Sequence, residues 1–282
     1  IFAQGPTAVL SILEDGDASF TYSATDTDAD TLTWSMLSPS SNGIASVVGS
    51  SGVTSYVPNA DWSGSDSFVV QVSDGVLTDE ITVSVTVSSV ADSPVITQGA
   101  GPLALTMSED GAPTAWAAPT LGGTDTDTAA GSLTWSVKTA ASNGTATVSG
   151  TGSAPVTFTY APTENWSGSD SFVVQLSDGV LTDEIMVNVT VSAVNDAPAI
   201  TQGDGPLTVT MSEDGAPTAW AALTLGATDA DTAVSSLTWS VKTAASNGTA
   251  TVSGTGSAPV TFTYAPTENW SGSDSFVVQV SD

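Results

Sequence analysis

The chain has 282 residues, 30 of them acidic and 2 basic, for a formal net charge of −28; that balance excludes duplex DNA, RNA and anionic membrane surfaces as partners. It contains neither His nor Cys, which removes Cys/His and Ser/His/Asp nucleophilic sites, zinc centres of Cys/His type, haem ligation and disulfides, and leaves calcium, bound by oxygen alone, as the metal the composition permits. Hydrophobic residues make up 40% and charged ones only 11%, so this is not a disordered acidic chain.

No run of about 18 apolar residues appears, so no transmembrane helix and no membrane insertion is expected. The opening IFAQGPTAVL lacks the basic stretch and apolar core of a secretory signal, and the chain reads as a window from a longer array. A first unit follows, marked by LEDG at 13–16, LTW at 32–34 and DWSGSDSFVVQVSDG at 61–75. The joint SSVADSPVIT at 88–97 ends it, with Pro94 stopping the preceding strand. A second unit begins at TQGAGPLALTMSEDG. Its predicted strands alternate β-branched or aromatic residues with small polar ones: near 103–107 and 114–118, then 132–137 (SLTWSV), 145–149, 156–160 (VTFTY), 171–176 and 185–191 (IMVNVTV). Turns are predicted at Asn143-Gly144, 150–153 and Asp178-Gly179. The joint SAVNDAPAIT at 192–201, with Pro198, leads into a third unit, which runs to Asp282 and lacks a counterpart of residues 179–194.

Residues 97–178 and 201–282 differ at 9 of 82 positions, an internal repeat with an offset of 104. The first unit is a shorter cousin: Glu14 to Trp34 spans 20 positions where Glu109 to Trp135 spans 26. The expected organisation is three domains, 1–92, 93–196 and 197–282, the last without its final strand. About seven short strands per 100 residues is the signature of an immunoglobulin-like sandwich. Short proline-stiffened joints make the array a stiff, elongated rod.

The acidic residues collect in loops and at unit ends. Asp26, Asp28 and Asp30, then Asp125 and Asp127, then Asp229 and Asp231 precede LTW in successive units. Two carboxylates in one short loop repel each other unless a cation sits between them; the plain alternative is a solvated, turn-forming Asx loop. Glu109, Glu164, the joint pair Asn195-Asp196 and Asp178 share the recurrent spacing.

On these residues the chain resembles a known family. The joint VNDAP is similar to the D-x-N-D-N-A-P linker of cadherins, and the D-x-D pair follows it by 33 positions, from Asp196 to Asp229 and from Asp92 to Asp125. NWSGSDSFVVQLSDG resembles the ending of the cadherin-like repeats in large bacterial RTX-type adhesins, and the resemblance covers essentially the whole chain. It implies all-β, tandem seven-stranded Ig-like, cadherin-like sandwiches with calcium at each junction. Carried over residue by residue, it implies Glu109, Glu164, Asn195, Asp196, Asp229, Asp231 and Asp282 as ligands between the second and third units. Between the first and second it implies Glu14, Asp61, Asp92, Asp125, Asp127 and Asp178. Ala91 replaces Asn195 there, and Ala60 with Asp61 beside it replaces Glu164, so the resemblance ranks the first junction as the weaker or emptier. Carboxylates within about 10 Å repel, and calcium bridging two domains turns that repulsion into a clamp. The function implied is an extracellular, non-enzymatic spacer of a bacterial surface adhesin or filament, partnered by neighbouring repeats of its own array.

Other readings compete. Trp116 and Trp220 would be the platforms of a glycan-binding module, while Trp34, Trp135 and Trp239 are expected in the core and Trp62, Trp166 and Trp270 over its end. Like chains exchanging strands in a filament is the third reading. Glycosidase chemistry with paired carboxylates is disfavoured by near-identical repeats and the lack of a cleft-forming insertion. The Asn-x-Ser/Thr sequons are assigned no role, and Lys138 and Lys242 are expected on an outward strand face.

Overall fold

Alternation of Val, Ile and aromatic residues with Ser, Thr and Asp sets the long strands, because residues i and i+2 share one face of a pleated strand. In the computed structural model, which describes residue 2 and residues 5–99, 101–111, 120–203, 205–213 and 223–282, the first unit has seven strands. They are β1 (Thr7–Leu13), β2 (Ala18–Thr21), β3 (Thr33–Ser38), β4 (Gly43–Val47), β5 (Val53–Pro58), β6 (Gly64–Ser73) and β7 (Thr78–Ser88). In β7, TDEITVSVTVS buries Ile81, Val83, Val85 and Val87 and turns the residues between them outward. Two sheets form, β1-β7-β6-β3 and β2-β5-β4, with Trp34, Tyr56, Phe68, Val70 and Val72 in the core they enclose. This is the all-β sandwich the sequence predicts. One feature was not predicted: β1 pairs with β7 in parallel, from Thr7 opposite Thr82 to Leu13 opposite Ser88.

The second unit comprises β8 (Val95–Ile96), β9 (Leu103–Ser108), β10 (Gly123–Thr124), β11 (Thr134–Thr139), β12 (Gly144–Thr151), β13 (Thr157–Pro162), β14 (Gly168–Ser177) and β15 (Thr182–Ser192). Because β11 pairs with both β14 and β12, six strands join in the order β13-β12-β11-β14-β15-β9. The first strand again runs parallel to the last. Short β8 pairs with β10, and the Ile96 N–H donates to Asp183 Oδ2 at 2.7 Å, which ties the entry of the unit to the start of β15. The strand expected near 114–118 lies outside the described residues.

The third unit holds β16 (Ala199–Ile200), β17 (Ala227–Thr228), β18 (Thr238–Thr243), β19 (Gly248–Ser253), β20 (Thr261–Pro266) and β21 (Val277–Ser281). These form three pairs, β16-β17, β18-β21 and β19-β20, the last two linked by a bridge between Thr238 and Thr255. Residues 206–212 are not a strand, and Leu207 and Val209 are exposed.

Two predicted turns are corrected. Gly144 opens β12 rather than turning the chain, and its glycine is required by close approach: a Cβ there would lie 2.5 Å from the Tyr160 ring and from the Ala161 carbonyl oxygen. Residues 150 and 151 belong to β12, with Gly150 at φ +123°. Five of the six described tryptophans fall as expected, and Trp270 is half-buried. Trp34, Trp135 and Trp239 are buried, and Trp135 Nε1 donates to the Gly152 carbonyl at 2.9 Å. Trp62 and Trp166 pack against their cores at the margin. Lys138 lies on an outward face as expected, ion-paired with Glu184 across the sheet. Trp116 and Trp220 lie outside the described residues.

A polar device recurs in each unit within the SGSDSF segment. The Asp170 carboxylate, 8% exposed, accepts the N–H groups of Ser142, Asn143 and Ser171 and the Tyr160 hydroxyl, at 2.8 to 3.1 Å. Asp66 and Asp274 do the same with Tyr56 and Tyr264. Burial alone would raise the Asp170 carboxyl, but the N–H donors and the hydroxyl outweigh it and hold it below the usual carboxylate range. Asp274 is held down to about 2 by the same balance. Each tyrosine ring also stacks on the Phe that follows its Asp by two, with Tyr160 and Phe172 centroids 6.0 Å apart and an interplanar angle of 3°.

Candidate metal site at the domain junctions

The parallel pairing of first and last strands sets the floor of each junction. At the end of β1 the Glu14 N–H donates to the Ser88 carbonyl, and Glu14 Oε1 accepts the Val90 N–H at 2.7 Å. Glu14 therefore sits beside the exit of its own unit and is only 3% exposed, with Oε2 lacking any protein donor. Glu109 repeats this arrangement in the second unit: its N–H bonds Ser192, its Oε1 accepts Val194 N–H at 2.6 Å, and its buried Oε2 is unpartnered. A buried carboxylate oxygen without a donor carries its full desolvation cost.

From the other side comes the loop before LTW of the following unit. The sequence reading has both Asp side chains aimed at one point, whereas the structure divides their roles. Asp125 Oδ1 accepts the N–H of Asp127 and Thr128 and so folds its own loop, leaving Oδ2 buried and unpartnered. Asp127 reaches across the joint, where its Oδ2 accepts the Asp92 N–H at 2.9 Å. In the third unit Asp229 and Asp231 repeat both roles, with Asp231 Oδ2 accepting the Asp196 N–H at 2.7 Å.

At the first junction one oxygen from each of Glu14, Asp92 and Asp127 lies within 4.8 Å of the others. Desolvation, with the carboxylates of Asp127, Asp61, Asp15 and Glu14, pushes Asp92 above its ordinary value. Asp196 is pushed up in the same way, by desolvation and then by Asp110, Asp231, Glu109 and Asp229. Both clusters thus hold mutually repelling carboxylates in oxygen-only surroundings, which is the donor chemistry of a hard divalent cation.

The remaining expected ligands are placed less uniformly. Asp61, held at φ +56°, is exposed but adds its charge to Asp92. Glu164 is exposed and is not among the carboxylates acting on Asp196. Asp178 Oδ1 accepts the N–H groups of Val180 and Leu181, fixing the β14–β15 turn and lowering its own carboxyl. Asn195 Nδ2 donates to Asp282 Oδ2 at 2.6 Å, a direct link from the joint to the third unit. Two acids of the junctions, Asp15 and Asp110, escaped the sequence reading, although the repeated E-D-G could have pointed to them.

The family profile described as bacterial Ig domain matches residues 2–86, 91–190 and 195–282. No curated protein matches the chain. Among solved structures, it is similar to mouse cadherin-23 EC22-24, with 15% identity and a TM-score of 0.49, covering 93% of this chain and 86% of that one. It is also similar to protocadherin gamma B2 extracellular cadherin domains 3-6, at 16% identity and TM-score 0.46, over 95% of this chain and 65% of that one. An endo-fucoidan hydrolase of glycoside hydrolase family 107 aligns at 21% identity and TM-score 0.28, over 67% of this chain and 28% of the hydrolase. Among the described residues, no helix is long and apolar enough to cross a membrane.

Proposed function

Since the chain belongs to the bacterial Ig domain family, in three tandem copies, and carries an acidic cluster where two copies meet, we propose that it is an extracellular spacer of a bacterial surface adhesin or filament whose junctions are stiffened by calcium. The observation that carries this reading is the convergence of Glu14, Asp92 and Asp127 within 4.8 Å, with Glu14 buried and one of its oxygens unpartnered. Three carboxylates brought together without a basic residue are costly, and a divalent cation offsets that cost while joining a strand end, a joint and the loop of the next domain.

Glu14, Asp61, Asp92, Asp125 and Asp127 would hold the ion at the first junction, with Asp178 contributing at its outer side. Glu109, Asn195, Asp196, Asp229, Asp231 and Asp282 would do so at the second, with Glu164 closing from the side. The bound ion would supply positive charge between the domains; the bend at each joint is then opposed by loss of its ligands. Because the ion binds only the ordered junction, it also stabilises the fold by mass action. The partners of the spacer are the neighbouring repeats of its own array.

The test is calcium titration calorimetry on the full chain, beside thermal melts in calcium and in chelator and small-angle scattering in both. Saturable binding of two or more ions, a higher melting temperature and a longer maximum dimension are expected. No heat at millimolar calcium, or one unchanged dimension, overturns the reading.

A further inference from the structure

The two junctions are not copies of each other. At the first, Glu14, Asp92 and Asp127 already converge, and Asp61 and Asp15 add two more charges around Asp92. At the second, Glu109, Asp196 and Asp231 occupy the matching places without forming a group of that tightness among the described residues, and Glu164 stands apart in solvent. What the second junction has instead is a neutral donor. Asn195 Nδ2 holds Asp282 Oδ2 at 2.6 Å, while the first junction has Ala91 at that position.

The difference that bears most on cation binding is whether the carboxylates are already gathered. A site whose carboxylates are already gathered has met its repulsion before the ion arrives, so binding relieves it and needs little rearrangement. At the second junction three carboxylates have still to be gathered, and Asp282 Oδ2 is shared with the Asn195 amide in a charge-assisted hydrogen bond, so binding there needs more rearrangement. The amide link in turn joins the second and third units when no ion is bound, a function that no side chain at Ala91 can perform. Buried, unpartnered oxygens of Glu14 and Asp125 at the first junction, and of Glu109, Asp196 and Asp229 at the second, leave both able to take an ion, so the difference is one of order.

We infer that the joints fill in sequence: the joint between the first and second units binds calcium at the lower concentration, and the joint between the second and third, held meanwhile by the Asn195–Asp282 link, binds it later. This rests on the calcium reading above and reverses the ranking that Ala91 implies from sequence. A separation of about tenfold in midpoint is expected, equivalent to about 1.4 kcal/mol.

The chain's lack of cysteine makes the experiment direct. In the full chain, Ser84→Cys with Thr145→Cys reports the first joint, and Asn188→Cys with Thr249→Cys the second; all four positions are exposed. Spin labels on each pair give the width of the inter-domain distance distribution as calcium is added, alongside calorimetry on the unlabelled chain. Narrowing at the first joint before the second supports the order; simultaneous narrowing, or the second joint first, overturns it while leaving calcium stiffening intact. Silence in both joints with no calorimetric heat overturns the calcium reading itself. Asn195→Ala is expected to broaden the second joint in chelator and leave the first unchanged; an unchanged second joint removes the latch.

Discussion

The second and third units differ at 9 of 82 aligned positions, yet the first of them builds a continuous six-stranded sheet, while the other has no strand at 206–212 and its β18-β21 and β19-β20 pairs meet only through the Thr238–Thr255 bridge. Leu105 and Met107, buried in β9, correspond to Val209, which is exposed, and Met211, which is half-buried. Phe172, Val174 and Leu176 are fully buried, and their counterparts Phe276, Val278 and Val280 only partly so. The two substitutions within this stretch, Thr208 for Ala104 and Val209 for Leu105, bring in β-branched residues that favour a strand and so do not account for its loss. What differs is β15, which lies between β14 and β9 in the second unit, whereas the residues up to Asp282 include no counterpart of it. Strand formation at the head of a unit is therefore set by a partner about 80 residues downstream and only weakly by local sequence.

The largest test of that comparison extends the chain past Asp282 with the sequence of residues 179–192. Burying the counterparts of Ile185, Val187, Val189 and Val191 is expected to stabilise the third unit by about 5 kcal/mol, to merge its melting transition with that of the second unit, and to protect the amides of 206–212 from exchange. If those amides still exchange freely, a β15 equivalent is not what orders the head of the unit. The converse change is Val187→Asp, which puts a charge at a fully buried position of β15. A loss of about 4 kcal/mol is expected, with amide exchange in β9 rising to the level of 206–212.

A smaller effect separates packing from the polar device the two units share. Asp170→Ala leaves three N–H groups and a hydroxyl without their acceptor and is expected to cost about 3 kcal/mol, read as a shift in the urea midpoint. The sign of its pH dependence follows from the lowered carboxyl. Stability from such a group is complete above the unfolded value and is lost as pH falls through the folded one. Wild-type stability should fall between pH 3.8 and about 2, the interval set by Asp274, and removing the network in all three units should flatten that fall. An unchanged acid profile would place the acid sensitivity elsewhere.

Much of the fold is legible because period-2 alternation is strong: 185–191 and 171–176 lie inside β15 and β14, and 103–107 inside β9. Pairing is less legible, since alternation says which face is buried and nothing about the neighbour; the parallel contact of β9 with β15 left no local mark. Asn143-Gly144 misled because Asn-Gly is the usual hairpin signal, whereas here the glycine makes room for Tyr160. At the junctions, repeat spacing picked out Glu14, Asp92 and Asp127, which the fold brings together. It also picked out Asp178, whose carboxylate fixes a turn, because an acid in an Asp-Gly loop reads the same whether it serves its own backbone or a neighbour. The Asp170 network was invisible for a related reason: two of its four donors come from residues 142 and 143, 28 and 27 positions away in sequence.

The parallel contact between the first and last strands also fixes how tension would pass through a unit. In the first unit the chain enters along β1 and leaves along β7, side by side and pointing the same way. A pull on the two ends drags these strands past each other along their length. The hydrogen bonds from Thr7–Thr82 to Leu13–Ser88 are then strained together rather than opened one at a time, and the force needed to separate them is that of the whole ladder. Glu14 stands at the last rung of this ladder, bonded to Ser88 and Val90, so a load arriving through the joint meets the shear-resistant contact first.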